Sequence, residues 1–416
     1  MRYRWLGVIA CAVAVTSVPA RGAIVFEKIA DTGTAIPGGS GNFNLLDDAV
    51  SSGRNVAFYG QGTVAQQGLY MWKGGALSRI VDRTTPLPGG AGKFSNMGAL
   101  SIDGSNVAFY NSGNLTSGQF LIGIYKNVGA GVVKVSETPD GGFSSPVISK
   151  GAVYVFFDGA GVGNESILTD SGGTVHALVS DGAPVPSGTG TFDSLNSNVA
   201  AVNGGVAFYG SSGVQRGIYL YRNGQASRIA DLHTAVPGTA GNFGSFSNIS
   251  LGYDGTDVAF AAEDAAGGVG LYRTRGGALV NIATSNTLVA GYGKVNFSDE
   301  NNIRMAIDGN RTVFSGDSKA IFIASELSVQ KLIGAGDLLL GKTVRSISFV
   351  GSEGFGGGDE VAFGASFTDG TSGVFLATVP LPAGAYVGLF MGVGIVYQSR
   401  RRFGTSGFRG NLTAGN

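Results

Sequence analysis

Seven copies of one unit fill the middle of this chain, and that repetition limits the possible folds more than any single motif does. In each copy an apolar run leads to a phenylalanine: "NVAFYG" at Phe58, "NVAFYN" at Phe109, "AVYVFF" at Phe156, "GVAFYG" at Phe208, "DVAFAA" at Phe260, "RTVFSG" at Phe314 and "EVAFGA" at Phe363. The steps are 51, 47, 52, 52, 54 and 49 residues. A second word follows each run, such as "GLY" at Tyr70 or "GIY" at Tyr219. A third precedes it, such as "KIAD", "RIVD", "LVSD" or "RIAD". A unit copied this often buries its apolar faces against its neighbours.

Within a unit the pattern is that of short strands with turns. "MGALSIDG" (Met97–Gly104) reads as a first strand ended by Asp103-Gly104, and "NVAFY" as a second, apolar on both faces because sheets cover it on each side. "GLYMWKG" (Gly68–Gly74) reads as a third and "ALSRIVD" (Ala76–Asp82) as a fourth. Four antiparallel strands, repeated seven times, predict an all-β, seven-bladed β-propeller over residues 24–379. The ends predict its closure. "IVFEKIAD" (Ile24–Asp31) is a fourth strand with nothing before it, and the last unit lacks a fourth strand after Gly373–Thr378. Pairing Val25–Ala30 with Gly373–Thr378 completes the seventh blade and removes two sheet edges.

The glycine-rich stretch "IADTGTAIPGGSGNF" (Ile29–Phe43) invites comparison with a phosphate-binding loop. It recurs as "TPLPGGAGKF", "APVPSGTGTF" and "TAVPGTAGNF", with no Gly-Lys-Ser/Thr and no helix after it. It reads as the connection from the outer strand of one blade to the inner strand of the next, with its phenylalanine anchored in a core. No cofactor is expected. Twenty-eight basic residues balance 28 acidic ones, so no cationic surplus exists to neutralise a nucleic-acid backbone. Cys11 is the sole cysteine, which excludes disulfides and thiolate metal sites.

The two ends read as addresses. Residues 1–20 have two arginines, an apolar stretch and a Val18-Pro19-Ala20 end, the pattern of a secretory signal peptide cut after Ala20. At the other end, "VPLPAGAYVGLFMGVGIVYQSRRR" has Val379-Pro380-Leu381-Pro382, an apolar run expected to form a short helix, and Arg400, Arg401 and Arg402. This resembles the C-terminal sorting signal of PEP-CTERM proteins. The resemblance implies export, transient inner-membrane insertion of residues 380–402, an exosortase-type processing enzyme as partner, and delivery to the cell surface or medium. The chain departs from the pattern in its tail, 403–416, expected to be disordered. The run from Ala383 to Tyr397 spans about 22 Å as helix against about 30 Å of hydrocarbon, short for a permanent anchor. The repeats themselves are similar to the blades of TolB-type propellers, from Ile24 to Val379.

Candidate functional residues are few. His176 and His233 lie in different repeats, and no nucleophile elbow or His-Glu-x-x-His is present. Asp31, Asp82, Asp181 and Asp231 recur at the ends of the third word. Each is expected to close a strand with an Asx turn. The alternative is a ring of carboxylates on one face which, with His233, would meet a ligand. These features favour an exported, surface-sorted, non-enzymatic propeller that binds an extracellular carbohydrate or protein partner or contributes to a matrix. The alternatives are a carbohydrate-active lyase or glycosidase with carboxylates at the channel, or an envelope-complex scaffold.

Overall fold

Turns of two residues leave each unit no length for a crossover, so its strands pair with their sequence neighbours. Gly74-Gly75, Asn223-Gly224 and Gly276-Gly277 all have positive φ at both positions, the type I′ geometry whose twist matches a hairpin. The computed structural model describes residues 23–129, 131–160, 164–213, 215–316, 319–325, 328–351 and 359–380. Here the units form seven antiparallel sheets.

Blade 1 holds Leu45–Ser52, Asn55–Gln61, Gly68–Lys73 and Ala76–Asp82, in that order from inner to outer strand. Blades 2 to 6 repeat this order, with inner strands Asn96–Asp103, Val147–Ser149, Ser194–Val202, Phe243–Tyr253 and Arg304–Asp308. Blade 7 combines Lys342–Ser348, Glu360–Phe367 and Ser372–Thr378 with Val25–Asp31 from the other end of the chain. The expected closure is present: Val25 lies opposite Thr378, Phe26 opposite Ala377 and Asp31 opposite Gly373. The Ser51 hydroxyl of blade 1 accepts the Ala362 amide of blade 7 at 3.2 Å, joining first blade to last. The expected C-terminal helix, Leu381, Pro382 and Arg400–Arg402 lie outside the described residues, as does the segment 1–20. Val379 and Pro380 directly follow the last strand.

The second strands are buried on both faces, as their composition requires: Val56, Ala57 and Phe58, and likewise Val258, Ala259 and Phe260, are inaccessible. The crossing loops pack onto the blades they join. Four of them double back on themselves, with Ala35 bridged to Asn42, Pro86 to Lys93, Pro184 to Thr191 and Ala235 to Asn242. An aliphatic residue, Ile36, Leu87, Val185 or Val236, is buried beneath each tip, and the terminal phenylalanine (Phe43, Phe94, Phe192 or Phe243) is buried behind it. The phenylalanine meets the tyrosine of the third strand edge-on, at 4.8 Å for Phe43–Tyr70 and 4.9 Å for Phe192–Tyr219. The glycine-rich tips remain in solvent.

This packing explains the glycine that closes "AFYG". A Cβ on Gly60 would sit 2.6 Å from Cε1 of Phe43, and one on Gly210 2.6 Å from Cε1 of Phe192. Gly60→Ala and Gly210→Ala should each cost about 1–3 kcal/mol by overpacking. Thermal unfolding of the two variants checks this; unchanged midpoints would mean that the phenylalanines are not held there.

Candidate functional site

All seven blades carry a bulge at one place in the outer strand. In blade 1, Leu69 faces Val81 while Tyr70 faces Arg79, so Ile80 is the extra residue. The same one-residue shift recurs in the other six blades. The bulge fixes which residue ends the strand. Asp82 stands opposite Gly68, Asp231 opposite Gly217 and Asp31 opposite Gly373.

These three aspartates share one hydrogen-bond arrangement. Oδ1 of Asp82 accepts the Thr84 amide at 2.9 Å and the Thr85 hydroxyl at 3.1 Å. Oδ1 of Asp231 accepts the His233 amide and the Thr234 hydroxyl, and that of Asp31 the Gly33 amide and the Thr34 hydroxyl. The other oxygen pairs with a cation three residues back: Arg79 at 2.5 Å, Arg228 at 2.7 Å and Lys28 at 2.7 Å. The turn reading therefore accounts for these carboxylates: they are occupied, and they sit at outer-strand ends, away from the channel. The Asp82 and Asp231 side chains are only 2% and 1% exposed.

Burial works to raise the Asp82 carboxyl, but hydrogen bonds from Thr84, Arg79 and Thr85 outweigh it and hold its pKa below the ordinary value. Asp231 and Asp31 are lowered by the same balance. A carboxyl depressed in the folded state stabilises fully above its unfolded pKa, and that contribution is lost as pH falls through the folded value. Asp82→Asn should cost about 2 kcal/mol near neutrality. Its difference from the parent should shrink between about pH 5 and pH 2. Unfolding midpoints across that range check it; a constant difference would exclude an ionised Asp82 as the cause.

Asp181 does not belong to this set. Ser180 faces Ser166 and so fills the position of Asp82, while Asp181 lies one residue further on and its amide donates to the Glu165 carbonyl at 3.1 Å. Matching letters had aligned it with the others; the bulge sets a different register. Blade 2 supplies the acid that the sequence reading missed. Glu137 faces Gly123 and pairs with Lys134 at 2.9 Å. Blade 6 builds the same turn from the opposite end, with Asp337 accepting the Gly334 amide and pairing with Lys331 at 2.7 Å. His233 is exposed in a crossing loop, and His176 is exposed at the start of the blade 3 outer strand; they are not brought together.

Charged residues also lie on the inner strands. Asp47 and Asp48 occupy the bulge of the blade 1 inner strand, with Asp48 at φ 51°. Ala99, at φ 49°, occupies the same bulge in blade 2 and lines the central channel. Burial, and next to it the Asp47 carboxylate, raises the Asp48 pKa. On the inner strand of blade 6, Arg304 lines two cavities. One is the channel, about 180 Å³, shared with Ala99, Pro146, Asn198 and Ile249. The other is a pocket of about 600 Å³ between blades 6 and 7. Arg304 is the one charged side chain among the residues lining either cavity. Charge on an inner strand, where other repeats carry Gly98-Ala99 or Pro146-Val147, is the sequence signal that could have pointed to these residues. Among the described residues, no three His, Cys, Asp or Glu side chains gather as a metal ion would need.

A model described as a family of unknown function, DUF7453, matches residues 111–332. No curated protein matches the chain. Among solved structures, the β-propeller domain of the Trilobed protease from Pyrococcus furiosus, described as having an open velcro topology, is similar with a TM-score of 0.48 at 10% identity. The match covers 80% of this chain and 95% of that one. The computationally designed Ika8 protein gives 0.40 at 14% identity, over 80% and 96% of the two chains. A polysaccharide lyase, the PL25 ulvan lyase, gives 0.39 at 14%, over 85% and 95%. At such identities none of these proteins' ligands or activities transfers to this chain.

Proposed function

The chain belongs to DUF7453, a family of unknown function, and we propose that it is an exported, surface-sorted propeller that binds rather than transforms an extracellular ligand. Carbohydrate is the ligand class that the polar pocket between blades 6 and 7 suits best. The observation that carries this reading is the fate of the charges. The recurrent aspartates are spent on turns, and the polar groups that line the pocket between blades 6 and 7 are hydroxyls, an amide and one guanidinium, while the channel is mostly apolar. Such groups hold sugars by hydrogen bonds. The export half of the proposal rests on the signal-like residues 1–20 and on the Val379–Arg402 segment that resembles a PEP-CTERM signal. Fractionation of cells expressing the intact chain, or one ending at Val379, tests it. The intact chain should be found in the envelope or on the surface and the truncated one in the medium; envelope retention of both would overturn the sorting role. A glycan array probed with the intact chain tests the binding half.

One observation favours a second reading. A carboxyl raised by burial beside a second carboxylate, as at Asp48 and Asp47, is what a general acid needs. Release of reducing ends from a bound glycan, abolished by Asp48→Asn, would replace the binding reading with a hydrolase.

A further inference from the structure

We propose that the pocket between blades 6 and 7 binds an acidic sugar, with the sugar's anionic substituent on Arg304 and its hydroxyls on the surrounding polar side chains. This deepens the carbohydrate-binding reading and rests on it.

Several other guanidinium groups of this chain are paired with carboxylates. Arg273, fully buried, pairs with Asp254 and Asp257. Arg311 pairs with Asp359, Arg79 with Asp82 and Arg228 with Asp231. Arg304 is half-buried, yet no carboxylate among the described residues pairs with it. Its Nη1 donates to the carbonyls of Asn301 at 2.8 Å and Ile303 at 3.2 Å, and among the described residues none bonds to Nη2 or Nε. Burial alone lowers its pKa, so the folded chain bears the cost of a desolvated cation that an arriving anion would relieve. The remaining Nε–Nη2 edge of the guanidinium matches the planar pair of oxygens of a carboxylate, or two oxygens of a sulfate.

The rest of the pocket selects a sugar over a bare anion. Its volume of about 600 Å³ lies in the range of small-molecule sites. Asn302, Ser315 and Ser348 supply neutral donors and acceptors, and Phe349 an apolar wall. A multiply charged phosphate site would carry several cations, and the described residues that line this pocket include one.

Isothermal titration of the full-length chain tests this with three probes: tri-galacturonate, its methyl ester, and a sulfated galactose trisaccharide. Tri-galacturonate should bind, and esterification should weaken it by ~10- to 100-fold, the loss expected for hydrogen bonds to a charged group. Arg304→Gln should give the same loss and Arg304→Lys a smaller one. Ser348→Tyr, which fills the pocket without touching the charge, should also abolish binding and serves if Arg304→Gln fails to fold. Binding of the sulfated probe alone, still lost in Arg304→Gln, supports the site and identifies sulfate as the anion. Equal affinity for acid and ester, or binding unaffected by both variants, overturns this pocket while leaving carbohydrate binding intact. A wild-type chain that binds no neutral or acidic glycan overturns the binding reading as well.

Discussion

Deleting Ile24–Asp31 should leave a chain that no longer unfolds cooperatively and that aggregates on expression. The strand contributes more than its own seven residues. It buries Ile29 and Ala30 against blade 7, and it covers the edge of Ser372–Thr378, which would otherwise present unpaired backbone groups to another molecule. It also joins residues at opposite ends of the repeat array, so its loss turns a closed ring into an open stack with two apolar faces. A milder variant keeps the strand. Ile29→Asp should cost about 3–4 kcal/mol, because it places an unpaired carboxylate at a buried position. Unfolding by urea, with light scattering, reads both variants. A deletion chain that stays monomeric with an unchanged midpoint would mean that the other sheets hold the ring without it.

The second large effect is expected at Arg273. It lies on the third strand of blade 5, facing Ala259, where blade 1 has Met71 facing Ala57. Its guanidinium pairs with Asp254 at 2.9 Å and Asp257 at 3.0 Å. It also reaches into blade 6, donating to the carbonyls of Arg311 at 3.0 Å and of Gly309. Lys126 plays the matching part in blade 2, donating to the Gly151 carbonyl of blade 3 at 2.7 Å and pairing with Asp170 at 2.6 Å. These cations rivet one blade to the next. Arg273→Ala should cost about 3–5 kcal/mol, since it strands two carboxylates away from water. The triple variant Arg273→Met, Asp254→Asn, Asp257→Asn should recover much of that, because the penalty comes from unpaired charge. If the triple variant is no more stable than Arg273→Ala, the guanidinium acts through packing alone.

Repetition made the architecture legible. Seven spaced phenylalanines gave the blade count, and two half-units at the ends gave the closure, because a β-ring must pair its last edge with something. The anchoring role of Phe43 and its equivalents was visible for the same reason. The site was less so. Asp181 and Glu137 were misassigned or missed because a bulge changes register without changing the letters around it, and only cross-strand pairing shows which residue faces the glycine. The buried aliphatic residues under the loop tips, Ile36 and its equivalents, were hidden beside more conspicuous glycines and prolines. Arg304 and the Asp47–Asp48 pair were hidden for the opposite reason. They occur once each, and a reading built on repeats looks past what the repeats do not share.

The claim on which the rest depends is that the ring is shut by pairing between the two ends of the array. It is tested most directly by oxidative cross-linking of the full-length chain carrying Cys11→Ser, Val25→Cys and Thr378→Cys. Directly opposite residues of an antiparallel pair lie within disulfide reach, whereas a partner one position along points to the other face of the sheet. The expected result is an intramolecular link between the peptides containing residues 25 and 378, with none when Ala377→Cys replaces Thr378→Cys. Equal linking in both versions, or links only between molecules, would contradict the closed seven-bladed ring.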